Sequence, residues 1–151
     1  MAAIWVDADA CPQVVKDILL RAAERTGVAI TFVANQPVRL PAGLPVKAVQ
    51  VPPGFDVADN YIVQHSAPDD LVVTQDIPLA AELVKAGVAA VTPRGQRHTK
   101  ESIGQRLAIR DLMSDLRDAG MVRGGPPPLS LADRQNFANQ LDKWLSARPK
   151  G

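Results

Sequence analysis

Acidic side chains gather where the predicted strands end. Five aspartates share this placement, two of them in an Asp-Ala-Asp motif: Asp7, Asp9, Asp56, Asp59 and Asp76. Carboxylate oxygens are the ligands that Mg²⁺ and Mn²⁺ prefer, and carboxylates crowded together without a cation repel one another. Two bound ions could activate a water and stabilise the leaving oxygen of a phosphodiester. The pattern therefore predicts a metal-dependent catalytic site made from these five residues.

Aspartate also caps helices, so each of these residues has a second interpretation. Asp9, Asp56 and Asp76 each stand near the start of a predicted helix, where an aspartate side chain can accept a backbone N–H. For a single aspartate the two interpretations are about equal, but three motifs at equivalent strand ends favour a shared site. Asp69 and Asp70 precede their strand, so we expect them at the opposite edge of the sheet as solvated turn residues.

A second group of residues could bind a nucleic-acid substrate: Asn35, Arg39, Arg94, Arg106 and Arg110. Asn35 and Arg39 lie in the loop after the second strand, on the same edge as the aspartates, and could contact a base or sugar. Arg94 begins a polar stretch that runs to Lys100, which could grip phosphates or could be a solvated loop. His98, within this stretch, is given no catalytic role.

Arg106 and Arg110 are four residues apart on one face of a predicted helix, and no acid lies three or four residues from either. Like charges at this spacing cost a helix a few tenths of a kcal/mol, so another group should offset the repulsion. A distant carboxylate and a substrate phosphate are both open as that group. Cys11 has no nearby histidine and is expected to be a small apolar core residue.

The candidate residues are carried by alternating strands and helices. Continuous apolar runs predict five strands, at about residues 4–6, 29–33, 46–51, 71–73 and 88–91. Helical periodicity, with proline at helix starts and glycine at helix ends, predicts helices at about 12–26, 55–65, 78–86 and 100–119 and a final helix after Ser130. This alternation predicts an α/β fold of three layers with a mostly parallel central sheet, followed by C-terminal helices.

Length and composition limit the remaining possibilities. The 151 residues are expected to form one domain, 1–151, with a core to about 120 and a C-terminal loop and helix at about 121–148. A net charge of +1 neither requires nor excludes a nucleic-acid partner. With a single cysteine, no signal peptide and no membrane span in the sequence, we expect a cytoplasmic protein without a membrane partner. A homo-oligomer is possible, but nothing in the sequence indicates one.

Several motifs together resemble the YaiI/YqxD family, and the resemblance runs nearly from end to end: Trp5–Pro12, Ala34–Pro37, Gly54–Asn60, Thr74–Ala80, Pro93–Gly95, Arg110–Met113 and Gly124–Pro127. That family is grouped with PIN-like domains, which are mostly metal-dependent ribonucleases. The resemblance thus implies a PIN-like hydrolase that acts on RNA with Mg²⁺ or Mn²⁺. It implies Asp7 and Asp76 as metal ligands. Asp56 or Asp59 stands where PIN domains usually place a helix glutamate, whose side chain is one methylene longer.

Two other functions compete with a nuclease. The Asp7-Ala8-Asp9 motif also resembles the haloacid-dehalogenase phosphatases, with Asp7 as nucleophile and Asp9 as acid and base. Those enzymes usually carry threonine or valine where this chain has Cys11, and they need paired acids after a later strand, which Asp69 and Asp70 precede. A non-catalytic RNA-binding module is the third possibility, but a phosphate binder gains nothing from a negatively charged edge. We therefore place the nuclease first.

Overall fold

The structure, a computed structural model, describes residues 2–54, 56–120 and 128–148. Within these residues one sheet contains the strands β1 (Ala3–Asp7), β2 (Ala29–Ala34), β3 (Val46–Gln50), β4 (Leu71–Val73), β5 (Ala89–Val91) and β6 (Arg97–His98). The α-helices are α1 (Gln13–Thr26), α2 (Val57–His65), α3 (Ile77–Lys85), α4 (Lys100–Asp118) and α5 (Leu131–Ala147). The predicted α/β class is therefore confirmed. Phe55, expected to begin the second helix, and the Gly124–Pro127 motif lie outside the described residues.

Local sequence signals account for the helix ends. Gly27 ends α1 with φ of 73°, a left-handed conformation that costs glycine little. At the start of α5, Ser130 accepts from the backbone of Asp133 and the Asp133 side chain accepts in return, as the sequence predicts. Asp76 caps α3 through the N–H of Leu79. Because caps act over a few residues, the predicted bounds lie close to the observed ones.

The strands are arranged in the order β3-β2-β1-β4-β5-β6, and β1 to β5 all run parallel. Alternate residues of the strands face two separate cores. On one face, Ile4 and Val6 pack with residues of α1 and α5, and on the other, Val72 packs with residues of α2 and α3. Helices thus cover both faces of the sheet, which explains why the strand sequences are continuous apolar runs. None of the helices in the described part of the chain is long and apolar enough to cross a bilayer.

The sixth strand corrects a prediction, because the sequence pattern ended the sheet at Val91 and treated residues 94–100 as a loop. The Thr92 hydroxyl accepts from the N–H groups of Arg94 and Gln96 at 3.2 and 3.1 Å and closes a tight turn. β6 then pairs antiparallel with β5. A strand of two residues is too short to show any periodicity. A Cβ atom on Gly95 would lie 2.4 Å from backbone atoms of Asn136 and Phe137, so this turn packs directly on α5.

Asp70 also differs from its prediction as a solvated turn residue, because its side chain is buried. One carboxylate oxygen, Oδ1, accepts from the N–H of Ala3 at 2.9 Å. The other, Oδ2, accepts from the Trp5 indole and from the N–H of Ala67, each at 2.9 Å. Asp70 therefore ties the start of β1 to the turn before β4. Its neighbour Asp69 is exposed, as predicted.

We expect Asp70→Ala to lower the free energy of unfolding by about 3 kcal/mol, because it leaves buried donors on both sides without an acceptor. Asp69→Ala should change it by less than about 0.5 kcal/mol, since this side chain is exposed. Urea unfolding of the wild type and both variants measures the difference. Equal effects of the two substitutions would show that the Asp70 contacts contribute nothing to stability.

Candidate functional site

The strand order creates a crevice where β1 and β4 lie side by side. The chain leaves β1 towards β2 on one side and leaves β4 towards β5 on the other. Ligands of open α/β sheets bind at such a reversal, beyond the carboxyl ends of the strands. Asp7 is the last residue of β1, and Asp76 caps α3 just after β4. Both aspartates therefore lie at this crevice.

Thr74 joins these two aspartates. Its hydroxyl donates to Asp7 Oδ2 at 3.1 Å and accepts from the N–H of Asp76 at 3.0 Å. The N–H of Thr74 donates to the carbonyl of Val91 at 3.0 Å, which anchors this buried residue to β5. Asp76 Oδ1 accepts from the N–H of Leu79 at 2.9 Å, so the cap interpretation is confirmed for Asp76. The same aspartate also lies beside Asp7.

Asp59 reaches the same place from the first turn of α2. Burial and then the negative charge of Asp76 raise the pKa of Asp59 from 3.8 to about 7, and its side chain forms a hydrogen bond with that of Asp76. Two carboxyl groups can form such a bond only when one of them carries a proton. Asp59 therefore keeps its proton in the folded protein up to about pH 7.

In the part of the chain that the structure describes, no cation offsets the charges around Asp7 and Asp59. Burial raises the pKa of Asp7 as well, opposed by the hydrogen bond from Thr74 and reinforced by the charges of Asp76 and Asp9. Among the described residues, no lysine, arginine or histidine contributes to the pKa shift of Asp7 or of Asp59. Neutral hydrogen-bond donors alone hold these carboxylates in place.

Asp9 and Asp56 act on the cluster from exposed positions. Asp9 Oδ2 accepts from the backbone N–H of Asn35 at 2.8 Å, and its charge raises the pKa of Asp7. Asp56 precedes α2 with a left-handed φ of 63° and makes no capping bond, and its charge raises the pKa of Asp59. Neither residue caps a helix with its side chain, so the cap interpretation is wrong for both.

The five carboxylates are neighbours, yet they do not form a ready coordination cage. Across residues 2–54, 56–120 and 128–148, no group of three or more His, Cys, Asp or Glu side chains is arranged to hold a metal ion. The bond between Asp59 and Asp76 and the bond from Thr74 to Asp7 direct carboxylate oxygens towards the protein. Coordinating an ion would therefore require the Asp59–Asp76 bond to open.

Most of the arginines that were predicted to bind a substrate contact other side chains of the protein. Arg94 Nη1 donates to Asp133 Oδ2 at 2.6 Å, which ties the β5–β6 turn to the start of α5. Arg110 lies 3.2 Å from Asp111 in an exposed ion pair. Arg39, in the loop after β2, is exposed. Of the predicted set, Asn35 is the residue in direct contact with the carboxylates, through its bond to Asp9.

Arg106 contacts a histidine that the sequence pattern did not suggest as its partner. Its guanidinium Nη1 contacts His98 Nδ1 at 2.8 Å, and because a guanidinium can only donate, His98 Nδ1 is the acceptor. The opposite ring nitrogen, Nε2, then carries the hydrogen and donates to the Thr74 carbonyl at 3.2 Å. Burial, and the charge of Arg106, lower the pKa of His98, so the ring stays neutral. Arg106 and His98 thus hold Thr74 from behind the carboxylates.

Thr74 and His98 are the positioning residues that the sequence pattern did not identify. A threonine two residues before a strand-end aspartate is a usable signal, since its hydroxyl can accept the aspartate N–H. His98 offers no such signal, because its contact with Thr74 joins residues 24 apart. Cys11 is buried as predicted, and burial raises the pKa of its thiol to about 12 against the opposing charge of Lys16.

Comparison with known proteins identifies similar chains. Residues 5–147 match the family model described as Uncharacterized BCR, YaiI/YqxD family. A UPF0178 protein of Thioalkalivibrio sulfidiphilus is 58% identical over 145 residues, covering 96% of this chain and 99% of that one. A UPF0178 protein of Cronobacter sakazakii is 56% identical over 147 residues, covering 97% of each chain. No solved structure matches the chain. These names state no reaction, and the PIN-like fold stays an implication of the resemblance.

The ionisation of Asp59 should make the metal-free protein less stable as pH rises from about 4 to about 7. A carboxyl group whose pKa is higher in the folded protein than its ordinary 3.8 keeps its proton on folding, and ionising it in the cluster costs stability. Asp59→Asn removes this titration and should flatten that part of the curve. The measurement is urea unfolding in EDTA at several pH values. Asp69→Asn, at an exposed site, is the control, and identical slopes for wild type and Asp59→Asn would contradict the raised pKa of Asp59.

Arg106→Gln should destabilise the protein by roughly 1–3 kcal/mol, because the buried His98 Nδ1 loses its donor. The pKa of His98 should also rise once the neighbouring positive charge is gone. Arg110→Gln, one turn further along α4, should cost less than about 0.5 kcal/mol because its ion pair is exposed. Thermal melting in dilute solution and NMR titration of the histidine rings test both effects. Two arginine variants that melt together would rule out the structural role of Arg106.

Proposed function

This chain belongs to the YaiI/YqxD family, and we propose that it is a nuclease or phosphodiesterase that uses Mg²⁺ or Mn²⁺ to hydrolyse RNA or another nucleic acid. The observation that carries the proposal is the carboxyl cluster at the crevice between β1 and β4. Asp76 raises the pKa of both Asp7 and Asp59 there, and no cation among the described residues relieves the repulsion. Carboxylates crowded at a ligand-binding crevice cost stability, which supports a functional reason for their presence.

The chemistry of the cluster fits a hard divalent cation. All five side chains offer carboxylate oxygens, the ligands of Mg²⁺ and Mn²⁺, whereas softer metals favour cysteine and histidine. Asp7, Asp59 and Asp76 would hold the ion, with Asp9 and Asp56 on its exposed side. Asp59 would give up its proton on binding, so affinity should rise with pH. A bound ion would lower the pKa of a water and polarise a phosphoryl oxygen.

The remaining residues of the crevice suit a sugar-phosphate chain. Asn35 Oδ1 is buried, and no described residue donates a hydrogen bond to it, although its backbone N–H is used by Asp9. If this side chain rotates towards the carboxylates, its amide could bond a hydroxyl such as the 2′-OH of RNA, so RNA is the substrate we expect. Arg39, exposed in the same loop, can approach a phosphate. Thr74 holds Asp7 and the start of α3 in fixed positions while the other side chains rotate.

Mn²⁺ should stabilise the wild type by about 2.7 kcal/mol at a hundred times its Kd. Asp7→Asn and Asp76→Asn should gain far less, because each removes a ligand charge. In EDTA, Asp76→Asn should be at least as stable as the wild type, since asparagine still caps α3 and one like charge is gone. The order of the two proteins should therefore reverse when Mn²⁺ is added. Thermal melting with EDTA and with Mn²⁺ gives all of these values.

Cleavage of a labelled single-stranded RNA with Mn²⁺ tests the activity itself. Asp7→Asn and Asp76→Asn should each lose at least about a hundredfold in rate, while Asp69→Asn should match the wild type. A wild type that Mn²⁺ does not stabilise would refute the metal site. RNA binding without cleavage would favour the non-catalytic module instead, and capture of beryllium fluoride on Asp7 would favour the phosphatase.

A further inference from the structure

A cavity of about 450 Å³ lies beside the carboxyl cluster, between the start of α1 and the start of α5. It adjoins the cluster because Gln75, which lines it, stands between Thr74 and Asp76 and donates to the carbonyl of Ala10 at 3.0 Å. Among the described residues, its polar lining consists of two carboxamides and two arginines, without an acid: Gln13, Gln75, Arg94 and Arg134. A basic lining of this kind favours an anionic ligand.

Arg134 has its charge available for such a ligand. Its side chain is exposed, and none of the described residues forms an ion pair or a side-chain hydrogen bond with it. Arg94 differs, because it donates to Asp133 at 2.6 Å and this acid offsets its charge. Pro12 begins α1 without a side-chain cap, so backbone N–H groups of the first turn add further donors. Arginine and backbone N–H groups are the donors that contact phosphates of nucleic acids.

A second cavity, of about 200 Å³, follows along the same two helices and is lined by Arg21 and Arg25 of α1. The helices run side by side in the same direction, since their starts line the first cavity and Arg25 contacts Asp142 at 3.1 Å near their ends. The lining positions recur at helical spacing and form one stripe on each helix: Val14, Ile18 and Arg25 on α1, and Arg134, Ala138 and Asp142 on α5. The two cavities therefore belong to one groove between α1 and α5.

We propose that the first cavity binds a phosphate of the substrate strand and that the strand continues along this groove past Arg21 and Arg25. The inference rests on the proposed function, which places the cleaved phosphate at the carboxyl cluster. Two basic cavities along one groove favour a strand over a free phosphate, because a free phosphate would use only the first. Arg25 can turn to a phosphate, since its ion pair with Asp142 is exposed and such pairs are weak.

Binding of a labelled single-stranded RNA tests the first cavity. Fluorescence anisotropy at several salt concentrations is measured in EDTA and with Ca²⁺, which takes oxygen ligands as Mn²⁺ does. Arg134→Gln should bind about fivefold more weakly, and the slope of log K against log salt should fall by about 0.7, as for one lost phosphate contact. Arg134→Lys keeps the charge and should keep the slope. Arg117→Gln is the matched control, because Arg117 is an exposed arginine of α4 that lines neither cavity.

The loss caused by Arg134→Gln should be equal in EDTA and in Ca²⁺, because no carboxylate of the cluster lines this cavity. A wild type whose RNA affinity Ca²⁺ does not change would contradict the metal site alone. The cavity is overturned if Arg134→Gln and Arg117→Gln bind RNA equally well, or if the wild type binds no RNA under either condition. Recovery of the slope in Arg134→Lys excludes a loss of folding as the cause.

Inorganic phosphate and Arg21→Gln together test whether the ligand is a strand. Inorganic phosphate should shift the backbone amide NMR signals of Gln13 and Val14 in the wild type and in Arg21→Gln, but not in Arg134→Gln. RNA should bind Arg21→Gln about threefold more weakly than the wild type, because the strand reaches the second cavity. An Arg21→Gln variant with wild-type RNA affinity overturns the path along the groove. Amide shifts with phosphate but no loss of RNA affinity in Arg134→Gln would assign the first cavity to a free phosphate instead.

Discussion

Parallel pairing of β1 with β4 is the contact on which the candidate site depends. It joins segments 67 residues apart, through Ile4 with Leu71, Trp5 with Val72 and Val6 with Val73. Asp70 supports this pairing from the opposite end by binding Ala3 and Trp5. With the two strands in this register, Asp7 ends beside Thr74, and the Thr74 hydroxyl can bind Asp7 and the N–H of Asp76 together. A slip of one residue would turn these side chains to the other face of the sheet.

The electrostatics of the crevice follow from that pairing. Asp7 and Asp76 are held by a threonine hydroxyl and by helix N–H groups, which fix carboxylates without neutralising them. Asp59 extends from α2 to the same place. Burial and the negative charges of Asp76 and Asp7 raise its pKa to about 7. Among the described residues, hydrogen bonds hold these like charges together, and their repulsion is what the proposed metal ion would relieve. A structural ion pair would have placed a cation among them.

Two of the arginines predicted to bind phosphate contact side chains outside the carboxyl cluster. Arg94 binds Asp133 at the start of α5, and Arg106 donates to His98 behind Thr74. The first contact attaches the C-terminal helix to the β5–β6 turn, and the second braces the crevice from β6 and α4. Arg106 therefore supports the carboxyl cluster through His98 and Thr74, whereas the sequence left a distant carboxylate and a phosphate open as its partner. Of the residues predicted to bind a substrate, Asn35 and Arg39 lie in the loop after β2.

Sequence by itself determined the features that arise from short-range physics. Hydrophobic periodicity located the long helices and the five parallel strands, and Gly27, Ser130 and Asp76 marked helix ends, because a cap bonds to groups within a few residues. The aspartates could be placed at strand ends for the same reason. Only the tertiary structure decided that Asp59 pairs with Asp76, that Arg106 binds His98, that Asp70 is buried and that β6 exists. Each of these depends on contacts between elements distant in sequence or on a strand too short for a pattern, and residue type and spacing carry no record of such contacts.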